Sequence, residues 1–214
     1  MAYSTTKSSI KKYLIYLLII SLFPLACKKD QAPADQIINI DTSTIEISGQ
    51  DYPVVKIGGQ LWTSMNYKGP GGMDFFQGDQ TGKYGKHYTE EELRGLKLPS
   101  GWTLPALDDY RTLAAHVGIQ FNTETNNSAA IHKLTSKTGW LHIQGTNSTG
   151  FNAYPAGYFV PGTPPVGGDN AEFIAADHKS FSLMESADRQ NMIARLFYNA
   201  SPSDRFTVRF VKKL

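Results

Sequence analysis

Few side chains in this sequence have a type and spacing suited to covalent chemistry. Cys27 is the only thiol in 214 residues. The five histidines, His87, His116, His132, His142 and His178, are scattered without the short ligand spacings that hold zinc. Each is explained by a surface or locally hydrogen-bonded role, and neither metal nor cofactor is implied. No His-Glu-x-x-His, Gly-x-Ser-x-Gly or Gly-x-x-x-x-Gly-Lys motif occurs. No catalytic residue is therefore assigned, and the chain is expected not to be an enzyme. Asp108-Asp109 could act as paired carboxylates in acid–base work. Near a helix start, however, their charge complements the macrodipole by ~0.3–1 kcal/mol, which is the plainer account. Trp62, Trp102 and Trp140 could stack on sugar rings, although Trp62 and Trp102 are better explained as core residues.

The chemistry left is recognition, and two loops carry the candidates. Phe75-Phe76, with Asp74 and Asp79 on either side, lies in a glycine-rich stretch from Lys68 to Lys86. Two large aromatics at a loop tip mark either a contact site or a small satellite core. The second candidate runs from Tyr158 through a proline-rich turn to Asp169 and Asn170. Prolines stiffen such a loop and lower the entropy lost on binding; the alternative is an inert insertion. The candidate ligand-binding residues are therefore Phe75, Phe76, Asp79, Tyr158, Asp169 and Asn170. Three Asn-x-Ser/Thr triplets, at Asn126, Asn147 and Asn199, would matter as glycosylation acceptors only in a eukaryotic secretory protein.

The elements around Cys27 give that thiol its chemistry. Lys7, Lys11 and Lys12 form a basic start, Tyr13 to Leu25 is a near-unbroken apolar run of 13 residues, and Ala26 supplies the small residue before a cleavage point. The run is too short for a membrane-spanning helix, which needs ~20 residues. Phe23-Pro24-Leu25-Ala26-Cys27 resembles the lipobox of bacterial lipoproteins, with Pro24 standing where leucine is usual. That resemblance implies acylation of Cys27, for example with palmitate, and two or more chains would hold the protein on a membrane almost irreversibly. The expected organisation is a signal peptide over 1–26, a lipid-anchored tether over 27–44, and one domain over 45–214. Removing the signal's three lysines from the formal +2 leaves −1. No basic stripe exists to gather phosphates, so nucleic acid is excluded as a partner.

From Ile37 the pattern becomes that of a strand: Ile38 and Ile40, then Ile45 and Ile47, alternate with polar residues. Gly49-Gln50 and Gly58-Gly59 punctuate strands over Tyr52–Ile57 and Gln60–Asn66, forming a meander. The Gly-rich stretch that follows reads as a long surface loop. Thr89 with Glu92 is a capping box for a short helix. Pro105 to Val117 places Leu107, Tyr110, Leu113, Ala114 and Val117 on one face before a C-capping Gly118, which makes it the main helix. A shorter helix is expected over about 128–137, burying Ile131 and Leu134. The rest reads as short strands and loops, ending in an alternating Thr207–Val211 strand paired with an early one.

Five blocks then stand in order: Asp51–Trp62, Tyr84–Thr89, Leu98–Pro105, Gly150–Gly157 and Val208–Lys212. Together they resemble the Fibrobacter succinogenes major paralogous domain, a family largely of exported lipoproteins in Bacteroidota and Fibrobacteres. The resemblance implies an α+β fold, C-type-lectin-like and akin to formylglycine-generating enzymes, with short antiparallel strands, one main helix and long loops. It also implies a cell-envelope address as an outer-membrane lipoprotein. Family members commonly carry a cysteine pair where this chain has Leu98 and Phe210, so a hydrophobic pair is expected to fill that space at ~25 cal/mol per Å². The function expected is a lipid-anchored binding module for a glycan or another surface polymer. The alternatives are a structural or protein-interaction lipoprotein and, third, a degenerate enzyme-like fold with hydrolase activity.

Overall fold

The computed structural model describes residues 43–121 and 128–214. The signal segment, Cys27 and the expected strand at Ile38 and Ile40 lie outside them.

Three antiparallel strands open the described chain: β1 (Thr44–Ile47), β2 (Gln50–Ile57) and β3 (Gln60–Thr63). The β1–β2 hairpin places Ile47 opposite Gln50, leaving Ser48 and Gly49 as a two-residue turn. Both have positive φ (54° and 76°), the mirror-image turn whose twist suits paired strands. β2 separates two hydrophobic clusters by its period of two. Val55 and Ile57 enter one cluster with Trp62, while Tyr52 and Val54 enter the other with Tyr67, Tyr88 and Phe210.

After β4 (Met73–Asp74) and β5 (Lys86–His87), which pair with each other, Thr89 caps α1 (Glu90–Leu93). The Thr89 hydroxyl accepts from Glu92 N and the Glu92 carboxylate accepts from Thr89 N, completing the box read from the sequence. β6 (Trp102–Thr103) leads to α2 (Leu107–Val117), whose buried face is the expected one and whose C-cap, Gly118, adopts φ 93°. α3 (Ser128–His132) is shorter than expected; Leu134 is nevertheless buried in the turn that follows.

β7 (Tyr158–Phe159) pairs with β11 (Arg205–Phe206), and β8 (Asn170–Ala175), β9 (Lys179–Glu185) and β10 (Met192–Phe197) form a three-stranded sheet. β12 (Val211–Lys213) returns between β3 and β6, closing the five-stranded order β1-β2-β3-β12-β6. The terminal strand therefore pairs with the early β3, but the expected Thr207–Val211 strand is corrected: only Val211 falls in β12, and residues 207–211 are buried throughout instead of alternating between core and solvent.

The expected C-type-lectin-like α+β architecture with a main helix is corrected. The described fold is mostly β, with twelve strands and three helices, of which α2 is the longest. Each helix signal was locally sound, but the residues after Tyr158, read as fragments, form sheet. Phe173, Phe181 and Leu183 from β8 and β9 fill the space beside Trp62 and Tyr110, so α2 covers a β-built core rather than organising one.

Candidate functional site

β8 and β9 present two unlike faces. Ala171, Phe173 and Ala175, with Phe181 and Leu183, point to the core cluster. The intervening residues, Asn170 and Glu172 on β8 and Ser180 and Ser182 on β9, are polar yet also buried. Buried polar groups need partners, and these pair across the ladder. Ser180 Oγ donates to Glu172 Oε1 at 2.6 Å and Ser182 Oγ donates to Asn170 Oδ1 at 3.1 Å. Thr207 fixes the Glu172 backbone, donating both N–H and hydroxyl to its carbonyl.

A cavity of about 210 Å³ opens on this polar face. Tyr158, Val160 and Met184 supply part of its wall, Phe197 and Phe206 add aromatic surface, and Asn199, Ala200 and Asp204 close it from the segment before β11. No Lys, Arg or His lines it. Burial pushes the Glu172 carboxyl up to about 7, against the hydrogen bonds from Ser180 and Asn170 and with help from the Asp204 charge. Tyr158 is raised first by burial and then by the negative charges of Glu172, Asp169 and Asp204. Asp204 accepts from Ser201 N through Oδ2, whereas its Oδ1 is buried with no hydrogen-bond partner among the described residues. The site thus offers acceptors and aromatic surface to a ligand rich in donors.

Of the residues singled out in the sequence, Tyr158 and Asn170 line this cavity, and the Asp169 charge acts on Tyr158. The other loop lies apart from it. Phe75 is buried, stacked on Tyr84 at 4.2 Å, so half of the aromatic pair is satellite core. Phe76 is 40% exposed and packs on Gly167 of the proline-rich turn, where a Cβ would sit 2.9 Å from its ring. The two candidate loops therefore meet through Phe76. Asp79 organises its own turn: burial opposes its ionisation, but hydrogen bonds from Tyr84 N and Thr81 hold its carboxyl below the ordinary range.

Glu172, Ser180 and Asp204 were not singled out in the sequence. Ser180-Phe181-Ser182-Leu183 alternates cleanly, but alternation ordinarily marks the polar face as solvated, and the cavity's covering residues are distant in the chain. The remaining candidates are accounted for by packing. All three tryptophans are buried, so none forms a sugar platform. Asp109 closes the start of α2 by accepting from Ala106 N at 3.0 Å. Among the described residues no cluster of three or more His, Cys, Asp or Glu suits a metal ion, and no helix is long and apolar enough to cross a membrane.

A family model described as Fibrobacter succinogenes major domain matches residues 55–212, nearly three quarters of the chain. No curated protein and no solved structure matches. The chain belongs to the Fibrobacter succinogenes major domain family.

Proposed function

We propose that this member of the Fibrobacter succinogenes major domain family is a lipid-anchored binding module of the outer membrane, taking part of a glycan or another surface polymer into the cavity on β8 and β9. Family membership itself suggests a surface or envelope protein; acylation at Cys27 and the ligand are the steps taken here. The observation that carries the reading is a buried polar face that packing does not require, opening into a cavity with an unpartnered acceptor on Asp204. Burying Asn170, Glu172, Ser180 and Ser182 costs free energy that an apolar face would avoid. At about 210 Å³ the cavity lies below the ~300–1,000 Å³ typical of drug-sized ligands, which suits one unit of a polymer. Tyr158 would place aromatic surface against the apolar face of a sugar ring.

The test is a glycan array probed with the full chain in detergent. Saturable binding to a defined subset is expected, weakened about tenfold, or ~1.4 kcal/mol, by Tyr158→Ala. Absence of binding, or binding indifferent to that change, would overturn the reading. A protein-interaction role is the second reading. It is favoured by exposed Phe76 and Leu141, which pack beside the adjacent glycines Gly167 and Gly168.

A further inference from the structure

The cavity's charge narrows its ligand beyond a polymer unit. Glu172 is only 5% exposed and Asp204 Oδ1 is buried without a partner, yet no basic side chain lines the space between them. Arg205, next in sequence to Asp204, is engaged elsewhere, 2.6 Å from Glu92 Oε2. Arg195, opposite Ser182 on β10, is exposed and lines a separate groove with Phe121 and Tyr198. An anion would meet two carboxyl groups and no donor of opposite charge. A hard divalent cation wants six or more oxygen ligands, whereas much of this wall is Val160, Met184, Phe197 and Phe206. A neutral polyol could fill the acceptors but would leave the Asp204 charge uncompensated. A compact cation with several N–H donors answers each demand: it supplies hydrogen bonds to Asp204 Oδ1, charge opposite to the acids, and attraction to the faces of Tyr158 and Phe197.

We infer that the cavity recognises a primary ammonium group, presented by an unacetylated amino sugar of the bound polymer. This inference rests on the reading of the cavity as the ligand site. Its chemistry is shared by alkyl amines, so the test separates the two sources.

The full chain in detergent is titrated calorimetrically with three tetrasaccharides that share a β-1,4 backbone and differ at C2. These are the glucosamine oligomer (ammonium), the N-acetylglucosamine oligomer (acetamide) and cellotetraose (hydroxyl); cadaverine is the fourth probe. The glucosamine oligomer should bind at least about tenfold more tightly than either neutral oligomer. Asp204→Asn and Glu172→Gln should each erase most of that preference while the thermal midpoint is followed in parallel. The ligand series does not depend on either variant folding. Equal binding of the three oligomers would overturn the ammonium inference and leave the glycan reading standing. Binding of cadaverine without any oligosaccharide would keep the ammonium site and overturn the glycan reading. Binding of none of the four probes would overturn both.

Discussion

Glu172 is a carboxylic acid placed where ionising it is costly. In the folded protein burial raises it to about 7 from an ordinary 4.5. The folded state therefore holds a proton that the unfolded state releases between those values. The stability this contributes is fully present below about 4.5 and is lost as pH rises through about 7. The groups around it are Ser180 and Asn170, which bond to it, Asp204, whose charge raises it further, and Tyr158; Arg195 stands two strands away on β10. Glu172→Gln keeps the shape and removes the titration. At pH 8 it should stabilise the protein by about 1–3 kcal/mol and flatten the melting temperature between pH 5 and 8. Parallel pH curves for variant and parent would show that Glu172 is not the titrating group. Sequence alone exposed little of this residue, because Asn170-Ala171-Glu172-Phe173 reads as a half-solvated strand until Asp204 and Phe206 arrive from more than thirty positions away. The same limit applied to Phe75 and Phe76, chemically identical neighbours that the fold treats oppositely, stacking one on Tyr84 and leaving the other 40% exposed.

At the scale of elements, the terminal segment ties the recurrent blocks together. Arg209 is fully buried and, among the described residues, has no carboxylate partner. It donates to Asn66 Oδ1 and Thr63 O from the first meander, and to Phe151 O and Asn152 O from the Gly150–Gly157 block. Its guanidinium also lies over Phe151 at 4.8 Å, and burial lowers it to about 9. The next residue, Phe210, is 1% exposed and meets Tyr67 edge-on at 5.4 Å. Leu98 is only partly buried, but it packs on the same cluster and shares with Phe210 a cavity of about 150 Å³. The pair expected to fill the space of the family's cysteines thus lines a cavity instead, with Phe210 buried and Leu98 only partly so. Phe210→Ala should cost about 3–5 kcal/mol, the range for a buried aromatic, measured by denaturant unfolding. A loss below about 1 kcal/mol would mean that the neighbouring cavity already relieves the site. The short helix and α2 were legible because their signals are local: the Thr89–Glu92 box and the apolar face of α2 with Gly118; the alternation over 207–211 was misleading, since those residues are buried throughout. The β8–β10 sheet was not, since its strands are recognisable only once Ala194, Leu183 and Ala171 are seen to share one core.

For the whole molecule, the proposed ligand cavity and the proposed anchor depend on different chemistry. The cavity is built from residues 158–206 by folding, whereas the proposed attachment would depend on acylation of Cys27, outside the described residues. The two can therefore be separated experimentally. Cys27→Ser should abolish labelling with radioactive palmitate and shift the protein out of the membrane fraction, because a single unacylated tether offers no buried methylenes at ~0.8 kcal/mol each. The same variant should keep its ligand affinity, since every residue that lines the cavity lies between Tyr158 and Phe206. On the proposed reading, anchoring would limit the ligand to polymer of the envelope itself. Persistent palmitate labelling of Cys27→Ser would remove the anchor from this account and leave the domain to be explained by its cavity alone.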